Sequence, residues 1–186
     1  MRITNNLAGL LATLGAGCVF VCAPSPVRAE VLLREADALA RAFPGETVER
    51  HTLYLKPGQV AAVEKAARSK LPSAVITTFE ARRAGSVTGR AVLDTQVVRT
   101  MPETVLSVVE PDGRLRMALV LQFGEPPDYL PRDGWLRTFE SKRLDDDLWP
   151  GKGVRKVTGA TLTVQALTEA VRRSLAVDLI ILRGQP

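Results

Sequence analysis

The residues best equipped for chemistry lie near the C-terminal end, where positions 157 to 163 read Val-Thr-Gly-Ala-Thr-Leu-Thr ahead of an amphipathic stretch. Thr163 predicts an N-cap, its side-chain oxygen accepting an N–H of the first helical turn. The small pair Gly159-Ala160 lets another molecule approach the backbone closely and exposes the hydroxyl of Thr161, with Thr158 and Leu162 on either side. A helix start offers unpaired N–H groups and the positive end of the helix dipole, a setting that suits a phosphate. Lys152, Arg155 and Lys156 add positive charge just upstream. From these residues alone the segment is a candidate phosphate site with a hydroxyl beside it, or a plain Thr-rich cap of the kind that precedes many helices.

Other residues carry weaker signals. Glu125 is a loop carboxylate that either approaches a ligand or faces water. Trp135, Phe139 and Trp149 supply flat apolar surface, for which core packing is the commoner use. The run Asp145-Asp146-Asp147 reads as a solvated acidic turn rather than a cation site, because adjacent carboxylates repel. His51 is the single histidine, and both cysteines, Cys18 and Cys22, fall in the N-terminal apolar stretch, so zinc and disulfide chemistry are not expected in the domain proper. Ser69, Ser73 and Ser86 lack a nucleophile-elbow pattern, which argues against a hydrolase.

The elements that must position these residues follow from hydrophobic period. Leu32, Ala36, Leu39 and Phe43 predict a helix that Pro44-Gly45 stops. A short strand, Thr52 to Leu55, leads to a second helix, Gln59 to Ser69. Alternation then predicts a hairpin from Val75 to Arg82 and Val87 to Leu93, turned by Ala84-Gly85-Ser86, a strand from Glu103 to Glu110, and a turn at Pro111-Asp112-Gly113. In the next strand Leu115, Met117, Leu119, Leu121 and Phe123 are expected to share one face. An antiparallel meander with one buried face results. A proline-rich loop over 124–133, a short helix from Gly134 to Glu140, a last helix from about Val164 to Ala176 and a strand over Leu179 to Leu182 complete the reading. The fold class expected is α+β, an antiparallel sheet flanked by helices in a single domain.

Composition narrows the function classes. The chain has 186 residues, 46% hydrophobic and 24% charged, which suits one globular domain. Arg2, the uncharged 17-residue run Leu7 to Ala23 and Val27-Arg28-Ala29 predict a signal peptide over residues 1–29, or an N-terminal anchor, and hence export. The net charge of +5 falls when Arg2 and Arg28 leave with that segment, and signs are mixed, with Arg82-Arg83 and Arg172-Arg173 set against the Asp run. Only 5% of residues are aromatic, so no nucleic-acid partner is expected.

The stretch Thr158 to Thr163, TGATLT, resembles the S/T-G-A-T motif of FMN-binding domains, those similar to the flavin-carrying subunits of the Rnf complex and of the sodium-pumping NADH:quinone oxidoreductase. The likeness covers about residues 70–177: the hairpin ITTFEARRAGSVTGRAVL, a strand–turn–strand ending in a Glu-bearing loop, the segment GWLRTF, then the motif and a helix. It implies residues 30–72 as an N-terminal helical segment and 73–186 as the FMN-binding domain. It also implies an electron carrier rather than an enzyme, with FMN joined through its phosphate to Thr161 by an FMN transferase, and redox partners in the periplasm or at the outer face of the cytoplasmic membrane. Thr158 to Thr163, Glu125 and Arg155 would then contact the cofactor. Two positions depart from the pattern. Arg155 stands six before Thr161, where the family has an acid that the transferase reads, and the loop after Glu125 reads Pro126-Pro127-Asp128. The departure at Arg155 leaves open an alternative, a non-redox envelope scaffold or ligand-binding module with a degenerate flavin motif.

Overall fold

In the computed structural model, residues 30–132, 134–145 and 147–184 are described, and the expected signal segment, residues 1–29, lies outside them. The alternating apolar runs form six strands: β1 (Glu30–Val31), β2 (Thr47–Tyr54), β3 (Val75–Arg83), β4 (Ser86–Val98), β5 (Met101–Val109) and β6 (Leu115–Phe123). They make one antiparallel sheet in the order β1-β6-β5-β4-β3-β2. From β2 to β6 every strand pairs with its sequence neighbour, and β1 closes the far edge by placing Glu30 opposite Phe123. The two strands from 30–72 thus belong to the same sheet as the rest, and β2 and β4 run longer than hydrophobic alternation alone predicts.

Helices cover both faces of this sheet. The helix α1 (Glu35–Ala42) brings Ala38 and Ala42, with Phe43, against Phe79, Leu106, Val108 and Leu121. On the other face α3 (Thr161–Val177) packs Val164, Leu167, Val171 and Leu175 against Val105, Val109, Leu115 and Ala118. The helix α2 (Pro57–Ala67) lies beside α3 and shares a third cluster in which Val63 and Ala67 meet Ile76, Val92 and Val177. Strand β5 is consequently buried from Glu103 to Val109, which corrects the expectation of a single buried face. Burial of side chains on both faces contributes roughly 1.5–3 kcal/mol for each large apolar residue.

Three local readings also change. Register shifts opposite Val108/Val109 and Thr104/Val105 leave Arg116 and Leu121 as extra residues in β6. The first of these bulges turns Leu115 toward α3, while Met117, Leu119 and Leu121 keep the α1 side. The apolar run Leu179 to Leu182 continues from α3 as a π-helical turn, Asp178–Leu182, rather than as a strand, because the helix already places Ile181 in the core. Finally, the Gly134 to Glu140 segment forms a short 3-10 turn, Leu136–Phe139.

Candidate functional site

Thr161 is the first residue of the 17-residue α3, and it is exposed. Ala160 occupies the N-cap position, with φ −115° and ψ 32°, and no side chain caps the helix. The turn into the helix depends on Gly159, whose φ of +85° belongs to the left-handed region that favours glycine; the space a Cβ would enter is open. The first helical backbone bond runs from the Val164 N–H to the Ala160 carbonyl, 2.9 Å. The N–H groups of Thr161, Leu162 and Thr163 therefore precede the helical ladder, and no protein acceptor meets them among the described residues.

The N-cap expected at Thr163 is a correction. Gly159 turns the chain three residues earlier than that reading requires, which puts Thr163 in the third helical position with its side chain buried. Its hydroxyl donates instead to Glu125 Oε2 at 3.0 Å. Glu125 is 6% exposed, so it is not a solvated loop carboxylate. Its second oxygen accepts from Arg99 Nη1 at 2.9 Å. Arg99 sits in the two-residue turn between β4 and β5 with φ +54°, and its guanidinium lies 5.3 Å from the Tyr129 ring centre. Gly124 locks this arrangement, because a Cβ there would stand 2.9 Å from the Pro102 carbonyl oxygen and from Met101 Cβ. The loop after β6 is in this way pressed onto the start of β5, and Glu125 is delivered beneath the first turn of α3.

Beneath the next turns lies a second polar layer. Gln96 donates to the Ala166 carbonyl at 2.9 Å and to Glu103 Oε1 at 3.3 Å. Glu103 is 1% exposed, and its other oxygen has no partner among the described residues. Burial pushes its carboxyl up to about 7; the Gln96 hydrogen bond opposes this, and the charges of Glu125 and Asp94 add to it. Arg173 forms a bidentate pair with Asp94, at 2.8 and 2.7 Å, and also donates to Gln96 at 2.6 Å.

Of the expected site residues, Thr158, Gly159, Thr161 and Leu162 are exposed around the helix start, while Ala160 and Thr163 are buried under it. Arg155 is exposed, and its carbonyl accepts from Trp135 Nε1 at 2.7 Å, which ties the segment before the motif to the core. Trp135 and Phe139 form an edge-to-face pair at 5.2 Å inside the core, so neither offers a ring face at the surface. Trp149 packs under the Arg172 guanidinium at 4.5 Å. His51 is exposed on the edge strand β2, and among the described residues no group of His, Cys, Asp and Glu could hold a metal.

Sequence reasoning missed Arg99, Glu103, Gly124 and Tyr129. An arginine in a two-residue gap between extended runs, and an acid inside an otherwise apolar strand, were the available signals.

No protein-family model, curated protein or solved structure matches this chain.

Proposed function

We propose that this chain is an exported FMN-binding electron-transfer protein, with the flavin phosphate joined to Thr161. The observation that carries the reading is the exposed Thr161 hydroxyl beside unpaired N–H groups, at an uncapped helix start opened by Gly159. This donor set fits a phosphate, with N–H groups directed at the anion and the helix dipole favouring its charge. Arg155 and Lys156, both exposed, contribute further positive charge. Exposed Leu162 and half-buried Tyr129 offer apolar surface near the same turn. When bound, FMN would supply one- and two-electron exchange. The chain's own residues do the rest: Thr161 tethers, Gly159 admits the phosphate to the backbone, and the Arg99–Glu125–Thr163 chain fixes the helix start.

The test is intact mass and absorbance of the exported protein made in a host that contains an FMN transferase. An FMN-sized adduct is expected, lost in Thr161→Ala. If the mass lacks the adduct and Thr161→Ala leaves flavin content unchanged, covalent tethering is wrong. Restoring the acid with Arg155→Asp is expected to raise the fraction of chains that carry the adduct.

Exposed Arg155, at the position the transferase reads, favours a second reading, a non-redox envelope module. Protein from its native host without flavin absorbance bands would select it.

A further inference from the structure

The sheet's β1 edge is only partly covered. Strand β1 spans two residues and shields Phe123 and Gln122, after which the Leu32 and Leu33 N–H groups both donate to the Leu121 carbonyl. At the other end Leu115 exchanges backbone bonds with Ser141 and Lys142. Between these closures Met117, Ala118, Leu119 and Val120 pair with β5 on one side, and no strand lies on the other among the described residues.

A cleft of about 590 Å³ opens along this gap. All four consecutive residues of β6 line it, although successive side chains of a strand point to opposite faces. A cavity that touches four in succession runs along the strand's edge, where backbone N–H and C=O groups are exposed. The open stretch is roughly 13 Å long at about 3.3 Å per residue, enough for four residues of an added strand.

The walls carry charge of one predominant sign. Arg41, from the last turn of α1, enters from one layer, and Arg132 and Arg137 enter from the loop and 3-10 turn of the other. All three are exposed, and none has an ion-pair partner among the described residues. Among the described residues Glu140 is the one acid on the rim. An incoming strand sends alternate side chains into the two layers, so adjacent acids would meet arginine on both sides. A second copy of this chain would bring its own arginines against these, and like charges face to face oppose that pairing.

We propose that this edge binds an extended acidic segment of a partner protein by strand addition to β6, main-chain bonds giving affinity and the arginines giving charge selection. The site is separate from Thr161, so the outcome is independent of whether the chain carries flavin.

The probe is a fluorescein-labelled heptapeptide, Val-Val-Glu-Glu-Glu-Val-Val, titrated with the full chain and followed by anisotropy. Binding is expected, weakening with added salt. The double variant Arg132→Glu with Arg137→Glu is expected to weaken it by about tenfold or more, and so is N-methylation of the central Glu, which removes one strand donor. Arg41→Glu tests the opposite layer on its own, and circular dichroism checks that each variant is folded. The proposal is overturned if no peptide binds, if a Lys-for-Glu peptide binds equally well, or if N-methylation has no effect. Displacement by dodecyl phosphate at lower concentration than by unlabelled peptide would identify a small-amphiphile cleft instead, and a dimer that forms through this edge would identify self-association; either result also overturns it.

Discussion

Two groups of arginines in this molecule have the same chemistry and opposite circumstances. Arg172 and Arg173 are almost wholly buried where α2 and α3 meet the sheet. Arg172 donates to the carbonyls of Ala67, Asp145 and Leu148, and Arg173 to Asp94, Gln96 and Ser69. Arg41, Arg132 and Arg137 are exposed around a cleft and have no such partners among the described residues. The buried pair works as a cross-link, in which several fixed acceptors hold each guanidinium and the cost of removing the charge from water is offset. The cleft group leaves its donors open. A cation's role is therefore read from what already satisfies it.

The largest effect that could break this contrast comes from Arg173→Met. It leaves Asp94 buried without its counter-charge, and urea denaturation is expected to show a loss of about 3–5 kcal/mol. A loss below about 1 kcal/mol would mean the pair is not a structural cross-link.

The neighbouring Glu103 gives the next largest effect. The folded chain holds this proton up to about pH 7, whereas an unfolded chain releases it at the ordinary 4.5. The native state thus binds more protons across that window, so this group's contribution to stability falls as pH rises, by up to about 3 kcal/mol once above it. Glu103→Gln should flatten that part of a stability–pH curve and leave the protein more stable than the parent above neutrality.

The smallest effect sharpens the comparison from the other side. Replacing Arg132 or Arg137 by Ser is expected to move stability by no more than about 0.5 kcal/mol, since neither holds a partner among the described residues. A thermal-melt shift comparable with that of Arg173→Met would show that the cleft arginines are structural after all.

The two arginine doublets show where sequence reasoning stopped. Arg82-Arg83 and Arg172-Arg173 look alike in the chain, yet the first is exposed on a strand end and the second is buried on a helix. Their difference comes from which elements pack against them, a long-range property that local spacing does not encode. Alternation in β6 was legible, but its bulges were not, because an extra residue depends on the partner strand's register. The start of α3 was legible to within three residues. The cap was misplaced because Thr163 suits that position by type, whereas the backbone turn at Gly159 puts Ala160 there. The helix-start hydroxyl was anticipated, whereas its underpinning by Glu125 and Arg99 joins segments 26 residues apart, a pairing that local spacing does not encode.

From β3 to β6 the ladder grows between sequence neighbours through short turns, so these hairpins close small loops, whereas β2 joins β3 across α2. The last long helix lies across this platform, and its packing keeps Asp94, Glu103 and Glu125 from water together. The threonine-rich turn therefore rests on contacts from several separate segments, and its shape depends on the sheet beneath it.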